Sequence, residues 1–230
     1  MALNISSLER SNLAESVSDL LRESIVNGQI TPGTHLIEAD IAKQLNVSRG
    51  PLREAFRILE KEGLLENRPG RGTYVSQPSE RYIKEAYSLR GILEEEAFRL
   101  AVKNRTEADL NQLENALEEM FNAAKSGAEK EVLLLDIAFH RLIWGIADHH
   151  LIQASLEAII TRLKMYIAVQ TKIYDDLSKG IADHRIILDA LRTRNEDRGI
   201  EALRQHLQLA IEMVLKYLVK PNGDQPNSTG

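Results

Sequence analysis

The sequence predicts a mainly α protein, in which an N-terminal winged helix-turn-helix of three helices and a β-hairpin wing precedes an all-α bundle of six helices. Three observations carry this. Apolar residues recur at helical spacing through most of the 230 residues. The one stretch of strand character, LLENRPGRGTYVS, folds about a Pro-Gly turn. Gln77-Pro78-Ser79 then separates it from a second run of helical periodicity. At this length, with 43% hydrophobic residues, the chain has material for two cores. The expected division is 10–76 for the winged helix, 77–81 for a linker, 82–219 for the bundle and 220–230 for a disordered tail.

The elements follow in order. Val17, Leu20, Leu21 and Ile25 mark one face of a helix over Leu13–Asn27, which Gly28 stops. After the Thr31-Pro32-Gly33 turn, a short helix runs from Glu38 to Leu45. Asn46 suits the left-handed residue of a tight helix-to-helix turn, and Ser48 is placed to cap the next helix. That helix extends from Arg49 to Glu62, with Pro51 harmless in its first turn and Gly63 at its end. Strands are expected at Leu64–Asn67 and Thr73–Ser76. Six helical segments then span 80–104, 106–125, 129–147, 151–171, 178–193 and 196–219, and Thr106 with Asp109 forms a capping-box pattern.

Composition excludes several classes. The net charge of −5 gives no general attraction to phosphates, so any nucleic acid must be held by a local patch. Without cysteine there is no disulfide framework and no thiolate chemistry. The apolar stretches are too short to span a bilayer, and the N-terminus has no secretory pattern. The expectation is a soluble cytoplasmic protein without a membrane partner.

A local patch is present. Arg49, Arg53 and Arg57 lie four residues apart, with Lys61 continuing the row, while Leu52, Ala55, Phe56 and Leu59 take the opposite side. A solvated charged face is the ordinary explanation for such a row. Its position at the start of the second helix of a helix-turn-helix favours base and phosphate contacts instead, and arginine matches the guanine edge. Arg68 and Arg71 flank Gly70 at the wing tip, where bare backbone can approach phosphates. The segments NGQITPG, VSRGPLREAFRILEKEGLL and RPGRGTYV resemble the winged helix of the GntR family of bacterial transcription regulators over residues 13–76. The resemblance implies that Arg49 and Arg53 meet bases or adjacent phosphates, that Ser48 and Pro51 support them, and that Gly70 and Arg71 reach the minor groove. Ala39 departs from members that carry a DNA-touching arginine there.

The second region places charge where a core should be. Asp136 and His140, four apart on one helix, have Val132, Leu133, Phe139 and Ile143 as neighbours. His184 and His206 stand on equally apolar faces of two other helices. Each unpaired buried group would cost about 1 to 3 kcal/mol, so each needs a partner. Separate core hydrogen bonds would serve, and so would convergence of the four on one divalent metal. Their spacing resembles the FCD effector domain of the FadR-type GntR branch, in its shorter VanR-like, six-helix version. That resemblance implies that Asp136, His140, His184 and His206 are metal ligands. The donor set admits zinc, nickel, manganese or iron, zinc being the first expectation. His149 and His150, at a helix junction, suit a cap or an exposed position better than a ligand.

Arg90 shares a helix face with Tyr87, Leu93 and Glu94, and either pairs with Glu94 at i+4 or holds a carboxylate ligand. The resemblance favours effector binding. Together these readings give a ligand-responsive DNA-binding regulator, which the family resemblance implies is a homodimeric repressor of a catabolic operon. Its partners would be palindromic double-stranded operator DNA and a small carboxylate. The alternative is a helical metalloenzyme whose metal activates water.

Overall fold

The structure, a computed structural model, describes residues 5–167 and 177–218. It divides into two compact units, the first running to Pro78 and also taking in the end of a later helix from Thr161.

The first unit begins with α1 (Ile5–Val26). This helix starts eight residues earlier than the apolar spacing indicates: 5–12 contain no glycine or proline to stop a helix, and no marked apolar stripe to announce one. Gly28, at φ 75°, ends it as expected. After β1 (His35–Leu36) come α2 (Glu38–Gln44) and α3 (Arg49–Lys61). Asn46 between them is left-handed at φ 53°. The wing is β2 (Leu65–Arg68) and β3 (Gly72–Val75), each displaced by one residue from its expected span. β1 has no counterpart in the sequence reading, because two residues carry no alternation. It exists only through its pairing with β3, which completes an antiparallel sheet of order β1-β3-β2. Val17, Leu21 and Ile25 of α1, the Leu52, Ala55, Phe56 and Leu59 face of α3, and Leu36, Leu65 and Val75 of the sheet form the core.

The second unit contains α4 (Glu80–Asn104), α5 (Glu107–Lys125), α6 (Glu129–Ala147), the part of α7 (His150–Ile167) up to Ile160, α8 (Leu177–Thr193) and α9 (Glu196–Leu218). The expected continuation of the fourth segment to Thr171, and the tail at 220–230, lie outside the described residues. α4 packs on α6 and α9, α5 on α6 and α8, and α8 on α9, around Phe98, Leu113, Leu117, Phe139 and Trp144. The Thr106 capping box is formed: its hydroxyl accepts from Asp109 N at 3.2 Å, and its own N–H donates to Asp109 Oδ2 at 2.7 Å.

Two arginines tie helix ends together. Arg105, just past α4, donates to the carbonyls of Leu191 (2.9 Å) and Arg192 (2.6 Å) at the end of α8. Arg194, just past α8, donates to the carbonyls of Val102 and Lys103 at the end of α4. Each cation satisfies the orphan carbonyls and opposes the negative dipole end of the other helix. This fixes α4 and α8, two of the four helices that carry the polar cluster described below.

Candidate DNA interface and candidate metal centre

Burial of the apolar side of α3 turns its arginines outward. Leu52, Ala55 and Leu59 are fully buried, while Arg49, Arg53 and Arg57 are exposed on the opposite side. Pro51 is buried in the first turn, where its missing N–H costs nothing. Ser48 is the N-cap residue of α3, as expected, in the extended conformation of that position, but its hydroxyl accepts no capping hydrogen bond. Arg53 Nε donates to Glu38 Oε2 of α2 at 2.8 Å, and Arg57 pairs with Glu54 at 3.3 Å. Among the described residues no such pair is recorded for Arg49.

At the wing tip Gly70 has φ 72°, and a Cβ there would meet nothing within 4 Å. Arg71 beside it is exposed. Arg68, expected at the tip, instead lies over the Tyr74 ring at 4.3 Å and bonds Glu66 at 2.9 and 2.5 Å. His35 stacks on Tyr74 at 4.5 Å between ring centroids. The sheet face thus holds Arg68 and leaves Arg71 as the arginine of the turn. Ala39 is exposed on α2 with only a methyl group to offer.

In the second unit, α6 contributes Asp136 and His140, α8 contributes His184 and α9 contributes His206, all buried. One donor atom from each lies within 4.8 Å of every other. Asp136 Oδ1 is 3.0 Å from His184 Nε2 and 3.4 Å from His206 Nε2, and His140 Nε2 is 3.1 Å from His206 Nε2. The sequence put these groups on apolar faces; the bundle brings them together.

Electrostatics suit the donor role. Burial works against ionisation of Asp136, but the surrounding imidazoles, His206 foremost, more than offset it and hold the carboxyl well below the usual range. Burial, reinforced by His184, pushes His206 well below its ordinary value and keeps it neutral. Neighbouring donors around an ion with bonds of about 2.1 Å stand roughly 3.0 to 3.4 Å apart in octahedral or tetrahedral geometry. The three separations lie in that range, and the donor set of an anionic carboxylate and imidazoles fits a divalent cation.

Behind His140 stands Glu94 of α4, 2% exposed. Its Oε2 is 2.6 Å from His140 Nδ1, and its Oε1 accepts from Arg90 Nε. Burial alone would raise the Glu94 pKa, yet Arg90, then His140, lower it to about 2. Tyr87, 5.6 Å beneath the Arg90 guanidinium, is pushed up to about 12 by burial. Arg90 therefore makes the i+4 pair weighed as one of its two readings, while its buried Nη2 has no hydrogen-bond partner. The sequence reading missed Glu94 as a partner of the cluster. The signal was available, since Glu94 interrupts the apolar stripe of Ile83, Ala86, Ala97, Phe98 and Ala101. His149 accepts from Ile152 N at 3.3 Å, a capping contact, and His150 is exposed.

Comparison with known proteins decides the family. Residues 13–75 match the family described as bacterial regulatory proteins, gntR family, and residues 85–209, more than half of the chain, match the FCD domain. The chain belongs to the GntR family. This GntR-family chain is 32% identical over 213 residues to the HTH-type transcriptional repressor RspR of Escherichia coli K12, covering 91% of this chain and 92% of that one. It is 29% identical to the gluconate operon transcriptional repressor of Bacillus subtilis, covering 86% and 84% of the two chains. Among solved structures it is similar to E. coli McbR/YncC, with a TM-score of 0.72 and 25% identity over 89% of this chain and 97% of that one. As a family member with its winged helix and FCD domain both present, the protein is a DNA-binding transcriptional regulator.

Proposed function

We propose that this regulator is a homodimeric, cytoplasmic repressor of a catabolic operon whose FCD domain senses a small organic acid at a divalent metal. Asp136, His140, His184 and His206 would hold the ion, with zinc the first expectation and nickel, manganese or iron admitted by the same donors. The convergence of these four buried donors carries the reading. A bound ion supplies a Lewis-acidic centre to which a ligand carboxylate can attach. Arg90 Nη2, buried and without a hydrogen-bond partner, is the second group suited to a carboxylate. The likeness to a gluconate operon repressor supports an acid as the signal. Arg49 and Arg53 would meet bases or adjacent phosphates with Ser48 and Pro51 supporting them, Arg57 would meet backbone, and Gly70 and Arg71 would reach the minor groove. A palindromic operator is matched by a two-fold dimer, and the acid acts by favouring one arrangement of that dimer over another.

A metalloenzyme would need a free general base beside the ion. Glu94, the carboxylate that stands behind His140, is already engaged by Arg90 and His140. The test is elemental analysis of the purified protein combined with a thermal-shift screen of organic acids and operator footprinting. Bound metal, a stabilising acid, and loss of the footprint on adding that acid are expected. A protein that binds its operator but takes up no metal would refute the sensing site.

A further inference from the structure

Glu94 is a carboxylate of the described residues that touches a side chain of the donor cluster without being one of the four donors. It lies on α4, a helix that supplies none of them. We propose that Glu94 is a positioning residue: it holds His140 by Nδ1, so that Nε2 faces the other donors as a bare lone pair, and Arg90 holds Glu94 in turn. The inference rests on the metal reading above and deepens it.

The geometry and the charge of Arg90 together place a proton on His140 Nδ1. Arg90 has donors only, so Glu94 Oε1 accepts from Arg90 Nε, and the buried guanidinium charge is balanced by an ionised Glu94. An ionised carboxylate has no hydrogen to give. The 2.6 Å contact between Glu94 Oε2 and His140 Nδ1 is therefore made by a proton on Nδ1. A neutral imidazole protonated at Nδ1 has its lone pair on Nε2, the atom 3.1 Å from His206 Nε2. Such an outer carboxylate orients the ring, selects the tautomer and raises the basicity of the coordinating nitrogen.

The cost of the arrangement indicates what it is for. Arg90 and Glu94 are 3% and 2% exposed, so two charges have been removed from water. A buried ion pair is weak evidence for stability, since apolar residues of similar volume often serve as well. What an apolar pair could not supply is an acceptor at His140 Nδ1. By contrast, Glu95, the next residue, pairs with Arg204 at the surface and has no part in the cluster; it serves as a control.

Two measurements on the full-length protein test the proposal. In the metal-free parent, 15N NMR of the histidine side chains should show His140 with a proton on Nδ1. A bare Nδ1 would overturn the positioning role whatever becomes of the metal site. Zinc affinity is then measured by competition with a chromophoric chelator for the parent, Glu94→Gln and Glu95→Gln. Because Glu94→Gln leaves Arg90 buried without its carboxylate, the charge-balanced Arg90→Gln/Glu94→Gln pair is measured beside it. Zinc should bind about 10- to 100-fold more weakly to the Glu94 variants that fold, and unchanged to Glu95→Gln. If the parent binds zinc and the double variant binds it equally well, Glu94 does not position His140 while the metal reading stands. If the parent binds no zinc, nickel, manganese or iron, the metal reading itself fails and this inference with it.

Discussion

Gly199 on α9 shows how tightly single residues are specified: a Cβ there would lie 2.0 Å from Cζ of Phe98, which is fully buried. Gly199→Ala forces that ring to move within a packed core. A loss of about 1 to 3 kcal/mol is expected, read from the urea midpoint at unchanged slope. The arginines of α3 obey a different rule, because their value appears only on DNA. Arg49→Ala and Arg53→Ala should each weaken operator binding by about 1 to 3 kcal/mol, measured by titration at fixed salt, and leave the thermal midpoint almost unmoved. Affinity within a factor of two of the parent would remove them from base reading. Glu94 illustrates the limit of reading residues singly. In the sequence it is an ordinary i+4 partner for Arg90, and its other oxygen becomes meaningful only when α6 brings His140 within 2.6 Å.

At the scale of the element, local chemistry fixes most boundaries. Asn46, Gly28, Gly63 and the Thr106 capping box each do in the structure what their residue types favour, because a cap or a left-handed turn involves only a few neighbouring residues. Thr106→Ala should cost about 0.5 to 2 kcal/mol by leaving an N-terminal N–H of α5 without its acceptor. Partnerships between distant elements are not written locally. β1 is a strand only because β3 lies beside it. The crossed arginine caps join residues more than eighty positions apart. Arg105, its side chain 11% exposed, should lose about 1 to 3 kcal/mol on replacement by alanine, read by chemical denaturation. A smaller effect would mean that solvent satisfies the α8 carbonyls equally well.

For the whole molecule, metal and folding should be linked. An ion that binds only the folded state at a hundred times its Kd contributes about 2.7 kcal/mol, so chelation should lower the thermal midpoint. His184→Ala/His206→Ala should contain no metal and show no such shift on chelation. Metal content equal to the parent's would disprove the site. The metal-free protein should also respond to acid. His206 stays neutral in the fold, whereas in the unfolded chain it takes up a proton near its ordinary pKa of about 6.5. The unfolded state thus binds more protons below that pH. Stability is complete above about 6.5 and falls by at most about 1.4 kcal/mol per pH unit beneath it, as urea titrations at two pH values would show. On DNA, the proposed two-fold dimer should protect two half-sites whose centres are about one helical turn, roughly 34 Å, or a multiple of it, apart.

The sequence by itself determined the order of helices, the wing, the outward row of arginines and the presence of four ionisable groups on apolar faces. These follow from periodicity, turn chemistry and charge, all of which act over a few residues. Tertiary structure decided which of those groups meet. Asp136 and His140 share a helix, but His184 and His206 arrive from two others and Glu94 from a fourth. It also set Arg53 against Glu38 and Arg68 over Tyr74; among the described residues of α3 and the wing, Arg49 and Arg71 make no such pair. Such pairings depend on distances between segments far apart in the chain, which the packing of apolar side chains fixes and spacing along the sequence does not contain.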